Sequence, residues 1–175
     1  MLDEVSGYVS MNVSPQTVVT PMCVELLAGL PLDRVVLELS EHDPVHDYAA
    51  LEAALAPLRA RGMRLAIDDV GAGFASLRHI VMADPDVIEM DRSIVSGVDS
   101  DPVLARLARS LVDVAHGCDV SVVAEGVETA AEHAVLQTLG VDGGQGWFFG
   151  RPAPAHTLVD EGTVRTAPAA ASLAG

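Results

Sequence analysis

Short apolar runs that end in acids or amides alternate along this chain with longer stretches of helical periodicity. Residues 8–13 read as a first strand, and Ser14 followed by Pro15 predicts a capped helix running to about residue 30. Residues 34–39 form a second strand that leads into Ser40-Glu41-His42-Asp43. Leu51, Leu55 and Leu58 recur at helical spacing up to Gly62, with Pro57 expected to kink or shorten that helix. Residues 65–67 open a third strand that ends in the pair Asp68-Asp69 and the turn Gly71-Ala72-Gly73. A short helix is predicted over 76–82 and a fourth strand over 86–91. The strongest helical pattern covers 102–116, with Leu104, Leu107, Leu111 and Val114 as its expected apolar face. A fifth strand over 121–125, a helix over 129–139 and a glycine-broken sixth strand over 143–149 complete the series.

This rhythm predicts βα units around a parallel sheet covered on both faces. Asn12, Glu38, Asp68, Asp69, Asp91, Glu125 and Gln145 each fall at or near the end of a strand-like run. In a parallel β/α barrel those ends gather on one rim, where the active site lies. Two adjacent acids repel each other, so Asp68-Asp69 suits either a divalent cation or a polar strand–loop junction. The chain has no Gly-x-Ser-x-Gly elbow and no lysine-bearing phosphate loop, and neither Cys23 nor Cys118 lies on the rim, so metal chemistry fits better than a Ser or Cys nucleophile.

Composition narrows the partners. The net charge of −15 comes from 25 acids against 10 bases, all of them arginine, which disfavours DNA and anionic membranes. A metal-bridged phosphate ligand stays compatible, because a bound cation inverts the local field. With 3% aromatic residues, the core is expected to be built from Ala, Val, Leu and Ile. The unpaired cysteines and the lack of a secretory leader or long apolar run point to the cytoplasm, with membrane attachment only through another chain or a missing segment. Residues 1–160 are expected to form one domain and 161–175 a flexible tail.

Five motifs in series resemble the EAL domain family. They are Ser10-Met11-Asn12-Val13-Ser14-Pro15, Leu37-Glu38-Leu39-Ser40-Glu41, Ala66-Ile67-Asp68-Asp69-Val70-Gly71-Ala72-Gly73, Val123-Ala124-Glu125-Gly126-Val127-Glu128-Thr129 and Gln145-Gly146-Trp147-Phe148-Phe149-Gly150-Arg151-Pro152. The resemblance implies a modified TIM (β/α) barrel that hydrolyses cyclic di-GMP to pGpG with two Mg²⁺ or Mn²⁺ ions. It implies Asn12, Glu38, Asp68 and Asp69 as metal ligands, and Glu125 in the metal site or as general base. It also implies Asp91 as a catalytic residue, Glu41 anchoring the loop after Asp68-Asp69 and linking the site to a homodimer interface, and Glu128 and Gln145 supporting site or ligand.

Departures from the family pattern qualify the activity. The family opens with two strands, the second bearing the Glu-Ala-Leu metal ligand, and this chain as given is expected to lack both. The family's Lys-x-Asp triplet is here Glu89-Met90-Asp91, which puts an anion where a cation helps hold the attacking water. The turn Val70-Gly71-Ala72-Gly73 replaces residues that are usually Phe and Thr. The resulting expectation is a catalytically impaired module that binds cyclic di-GMP or a partner protein, the alternative being an active phosphodiesterase. A barrel short of two strands should also open an interior lined with Val, Ile and Leu, and so be marginal or oligomeric.

Overall fold

The computed structural model describes residues 7–71 and 82–153. Ala72 and Gly73, most of the helix expected over 76–82, and the tail from 161 onward therefore lie outside the described residues. Six parallel strands pair in sequence order: β1 (Val9–Asn12), β2 (Val35–Ser40), β3 (Arg64–Val70), β4 (Val87–Met90), β5 (Ser121–Ala124) and β6 (Gly143–Gly144). The sixth strand is shorter than expected, because Gly146 and Trp147 turn the chain away after two residues of pairing.

The helices are α1 (Pro15–Val18), α2 (Pro21–Ala28), α3 (Tyr48–Arg59), α4 (Arg92–Val95), α5 (Pro102–His116) and α6 (Ala130–Thr138). The helix expected to continue to residue 30 is broken in two, since Thr20 caps a second start and Pro21 occupies its first position. Ser14, Asp47, Asp91, Asp101 and Thr129 cap the other starts with side-chain oxygens. Pro57 sits inside α3 without ending it.

The core lies between the sheet and these helices. Leu37, Leu39, Leu65, Ile67, Ile88, Met90, Val122 and Ala124 share one cluster with Leu51, Leu55 and Leu58 of α3 and Leu111, Val112 and Ala115 of α5. On α5 the buried face is Ala108, Leu111, Val112 and Ala115, while Leu107 and Val114 are exposed. The expected apolar stripe is thus rotated, because small Ala108 and Ala115 let the helix lie close against the sheet.

Period-two alternation sends the other strand residues to the opposite face. There stand Ser10, Asn12, Val36, Glu38, Arg64, Ala66, Asp68, Val87, Glu89, Ser121 and Val123, outside the large apolar cluster. The expectation of an interior lined with Val, Ile and Leu is corrected in part: Val36, Val87 and Val123 do stand on the inner face, but the Leu and Ile of the strands serve the helix layer, and the remaining inner positions are mostly small or polar. Among the described residues, β1 and β6 each pair along one side, so the sheet is an arc. No helix among the described residues is long and apolar enough to cross a membrane.

Candidate metal centre

The arc's strands all end on one rim, and the acids singled out in the sequence converge there. Asn12 closes β1 and donates its amide to Glu38 Oε2 at 2.8 Å. Register sets this pair, since Asn12 and Glu38 are direct neighbours across β1 and β2. Carboxylate oxygens of Glu38, Asp68 and Glu89 lie within 4.8 Å of one another, and so do those of Asp68, Asp69 and Glu125. Asp68 belongs to both sets.

A bulge makes the second set possible. Ile67 pairs with Ile88 and Val70 with Met90, so β3 holds one residue more than β4 between the same two rungs. Asp69 takes φ 62°, in the left-handed region that Asp and Asn tolerate better than other side chains. Its amide donates to Asp68 Oδ1 at 2.7 Å. His42 Nδ1 stands 3.9 Å from Asp69 Oδ2.

Glu125 follows β5, and Gln145 follows β6 and donates its amide to Glu125 Oε1. Gly146 permits this approach: a Cβ there, at φ 146°, would collide with the Val127 backbone. The loop is then held by Val127 N–H to Gln145 O and Phe148 N–H to Val127 O, both 3.0 Å.

Charge crowding is severe. Glu89 is only 7% exposed. Burial, a hydrogen bond with Glu125 and the charges of Glu38, Glu125 and Asp68 push its carboxyl up to about 9, which favours its protonated form when no cation is bound. Burial first, then Glu125 and Asp69, raise Asp68 to about 6. The inward placement of Glu89 follows from strand alternation, which puts it on one face with Asp91 two residues on.

The remaining residues stand around this cup. Glu41 is buried, and its Oε2 accepts the Gly71 amide at 3.4 Å while its own amide donates to Asp68 O at 3.0 Å, tying it to the end of β3. Asp91 is not drawn into either carboxylate set. Its Oδ1 caps α4 through Ser93 N–H at 2.9 Å. Glu128 is ion-paired with Arg92 at 2.7 Å, at the edge of the site.

Glu132 is the buried acid that pattern reading passed over. It accepts the amides of Gly97, Glu128 and Thr129 and so joins the segment after α4 to the start of α6. Those three backbone donors hold its carboxyl below the usual range against the opposing effect of burial. The Thr-x-x-Glu spacing of a capping box was visible at Thr129 and Glu132, although its tie to Gly97 was not.

An all-oxygen cup of clustered carboxylates, with one buried amide-supported Glu and protonation displaced upward by burial and by mutual repulsion, fits a hard divalent cation. Fold and site together define a parallel β/α arc with a cation-type carboxylate rim. A family model described as "EAL domain" matches residues 3–152. The chain belongs to the EAL domain family, and its six parallel strands with their outer helices match that family's modified TIM barrel.

Among solved structures, the EAL domain of Mycobacterium smegmatis DcpA superposes with a TM-score of 0.81 at 30% identity, covering 88% of this chain and 72% of that one. A manganese and cyclic di-GMP complex of Klebsiella pneumoniae BlrP1 superposes with a TM-score of 0.74 at 33% identity, covering 83% and 39%. A probable cyclic di-GMP phosphodiesterase of Escherichia coli, PdeA, is 35% identical over 120 residues, covering 69% of this chain and 16% of its own length. The chain spans 16% of the length of PdeA and 51% of a Mycobacterium bovis relative that is 32% identical to it.

Proposed function

We propose that the chain is a module of cyclic di-GMP signalling that carries Asn12, Glu38, Asp68, Asp69 and Glu125 of the family's metal cup and binds the dinucleotide with little hydrolysis. One observation carries this reading: Glu89 occupies the inner face among Glu38, Asp68 and Glu125, where the family pattern has Lys. The residues that would hold Mg²⁺ or Mn²⁺ are Asn12, Glu38, Asp68, Asp69 and Glu125. Such ions, when bound, supply a low-pKa water and offset charge on phosphoryl oxygens.

The chain's own residues orient that cup. Asn12 fixes the Glu38 carboxylate, and Gln145 fixes Glu125. Glu41 holds the backbone where β3 ends. Glu89 hydrogen-bonds Glu125 with a proton of its own, so it supplies no positive charge to the attacking water and engages an oxygen that a general base would need. Removing one electrostatic group of this kind costs about 10²–10³ in rate in other enzymes.

The test pairs two assays on the 175-residue chain. Calorimetry with cyclic di-GMP and Ca²⁺ should show saturable binding. Chromatography after incubation with Mn²⁺ or Mg²⁺ should show pGpG release at least about 100-fold slower than an active EAL phosphodiesterase run alongside. No saturable binding of cyclic di-GMP in that calorimetry would sink the proposal. Turnover matching the active enzyme would establish the second reading, a working phosphodiesterase, which the two carboxylate sets sharing Asp68 favour.

A further inference from the structure

We infer that Glu89 is itself a metal-ligating side chain, so that the position the family gives to a cation adds a further carboxylate to the cup of this chain. The inference rests on the reading that the cup holds a divalent ion. It goes further in assigning one more ligand and a different metal preference.

The geometry is that of a shared ligand set. A Glu89 oxygen lies within 4.8 Å of oxygens from both Glu38 and Asp68. Hard divalent ions bind carboxylate oxygens at about 2.0–2.6 Å, so opposite oxygens on one ion stand roughly 4–5 Å apart. Glu89 also sits inside a paired strand, in register with Val123 of β5, so its backbone is fixed as firmly as that of Glu38. The side chain is buried at 7% exposure, which leaves water little room to solvate its charge. Among the described ion pairs, those of Arg59, Arg92 and His116 go to Asp86, Glu128 and Asp142, and the one that reaches the cup, His42 with Asp69 at 3.9 Å, is made with none of Glu38, Asp68 and Glu89. A divalent ion is the charge partner that satisfies three convergent carboxylates at once. A Lys at the same point would repel that ion, whereas Glu89 would release its proton as the ion binds and add a carboxylate oxygen to its ligands.

Mn²⁺ alone is the probe. Electron paramagnetic resonance reads free Mn²⁺ during titration of the full chain, and calorimetry checks the stoichiometry. Wild type should take up Mn²⁺ without nucleotide, and Glu89→Gln should weaken uptake by about 10-fold or more. Glutamine keeps a hydrogen-bond donor toward Glu125, and thermal melting in EDTA verifies that the variant folds. A third variant separates ligation from mere positioning. Glu89→Cys should lose Mn²⁺ and gain Cd²⁺ relative to Glu89→Gln, because a thiolate selects the softer ion.

Mn²⁺ uptake by wild type that is unchanged or strengthened in Glu89→Gln would show Glu89 to be only a repelling acid. The inference would then fall while the proposed function stood. Failure of Glu89→Cys to shift preference toward Cd²⁺ would also overturn it. No Mn²⁺ uptake by wild type would remove both the inference and the metal-dependent reading beneath it.

Discussion

On the helix-facing side of the sheet, Leu37, Leu39, Leu65, Ile67, Ile88 and Met90 are packed into one apolar cluster. One residue along each strand, Glu38, Ala66, Asp68 and Glu89 face the other way, and the large side chains among them are acids. The same backbone therefore carries two layers of opposite energetic sign. Apolar burial on the outer side stabilises by roughly 1.5–3 kcal/mol per large side chain. Carboxylates crowded on the inner side destabilise the cation-free fold. Stability and binding should accordingly respond to different substitutions, and that separation can be broken or sharpened experimentally.

The largest effect is expected on the outer face. Ile67→Ala removes a fully buried side chain and should cost about 2–5 kcal/mol, read by urea unfolding. Mn²⁺ affinity of the fraction that stays folded should be unchanged, and a parallel loss there would show the two layers to be coupled. The inner-face counterpart is Asp68→Asn. It should weaken Mn²⁺ binding by about 100-fold or more, since both carboxylate sets lose their common member. The melting temperature in EDTA should stay level or rise, and a fall would refute the view that this layer opposes folding.

Next comes pH. An acid whose folded pKa lies above its unfolded one holds its proton more tightly when folded. Its contribution is fully present below the unfolded value and is lost as pH rises through the folded value. For Glu89 that window runs from 4.5 to about 9, and for Asp68 from 3.8 to about 6. The metal-free chain should therefore melt lower at pH 8 than at pH 5, by about 5 °C or more. Glu89→Gln should flatten most of that slope between pH 6 and about 9, and an unchanged slope would place the titration elsewhere. The smallest effect is expected far from both layers. Thr129→Ala loses one cap of α6 and should cost about 1 kcal/mol by thermal melting, with Mn²⁺ binding untouched.

Much of this separation was legible in the sequence. Apolar runs with an acid at the end told both where the strands lie and which end carries the chemistry, so Asn12, Glu38, Asp68, Asp69, Glu125 and Gln145 could be placed on one rim. Spacing along the chain did not say which aliphatic residues look toward the helices. Val36 and Leu37 are equally apolar in composition, yet only Leu37 belongs to the helix-side cluster. The α5 stripe was misplaced for a related reason: alanine carries a weak hydropathy signal, while its small size decides how closely a helix can approach. Asp91 looked like a rim acid and serves as a helix cap, because the same carboxylate at a strand end also precedes a helix start. The role of Glu132 needed the spatial meeting of Gly97 with α6, which no local pattern encodes.

The extra residue in β3 has a consequence best put as parity. A strand shows its odd-numbered residues to one side and its even-numbered residues to the other, so two neighbours such as Asp68 and Asp69 would normally be divided between helices and rim. In this strand Leu65 and Ile67 belong to the apolar cluster, and so does Val70, an even position after two odd ones. The count has been reset between them, at the cost of a left-handed backbone at Asp69. Deleting either acid would restore strict alternation and leave Val70 on the apolar side, whereas regular alternation with both acids in place would turn it toward the charged side. Two acids side by side in the sequence thus serve as a frame shift written into the fold, and the position of Val70 is the record of it.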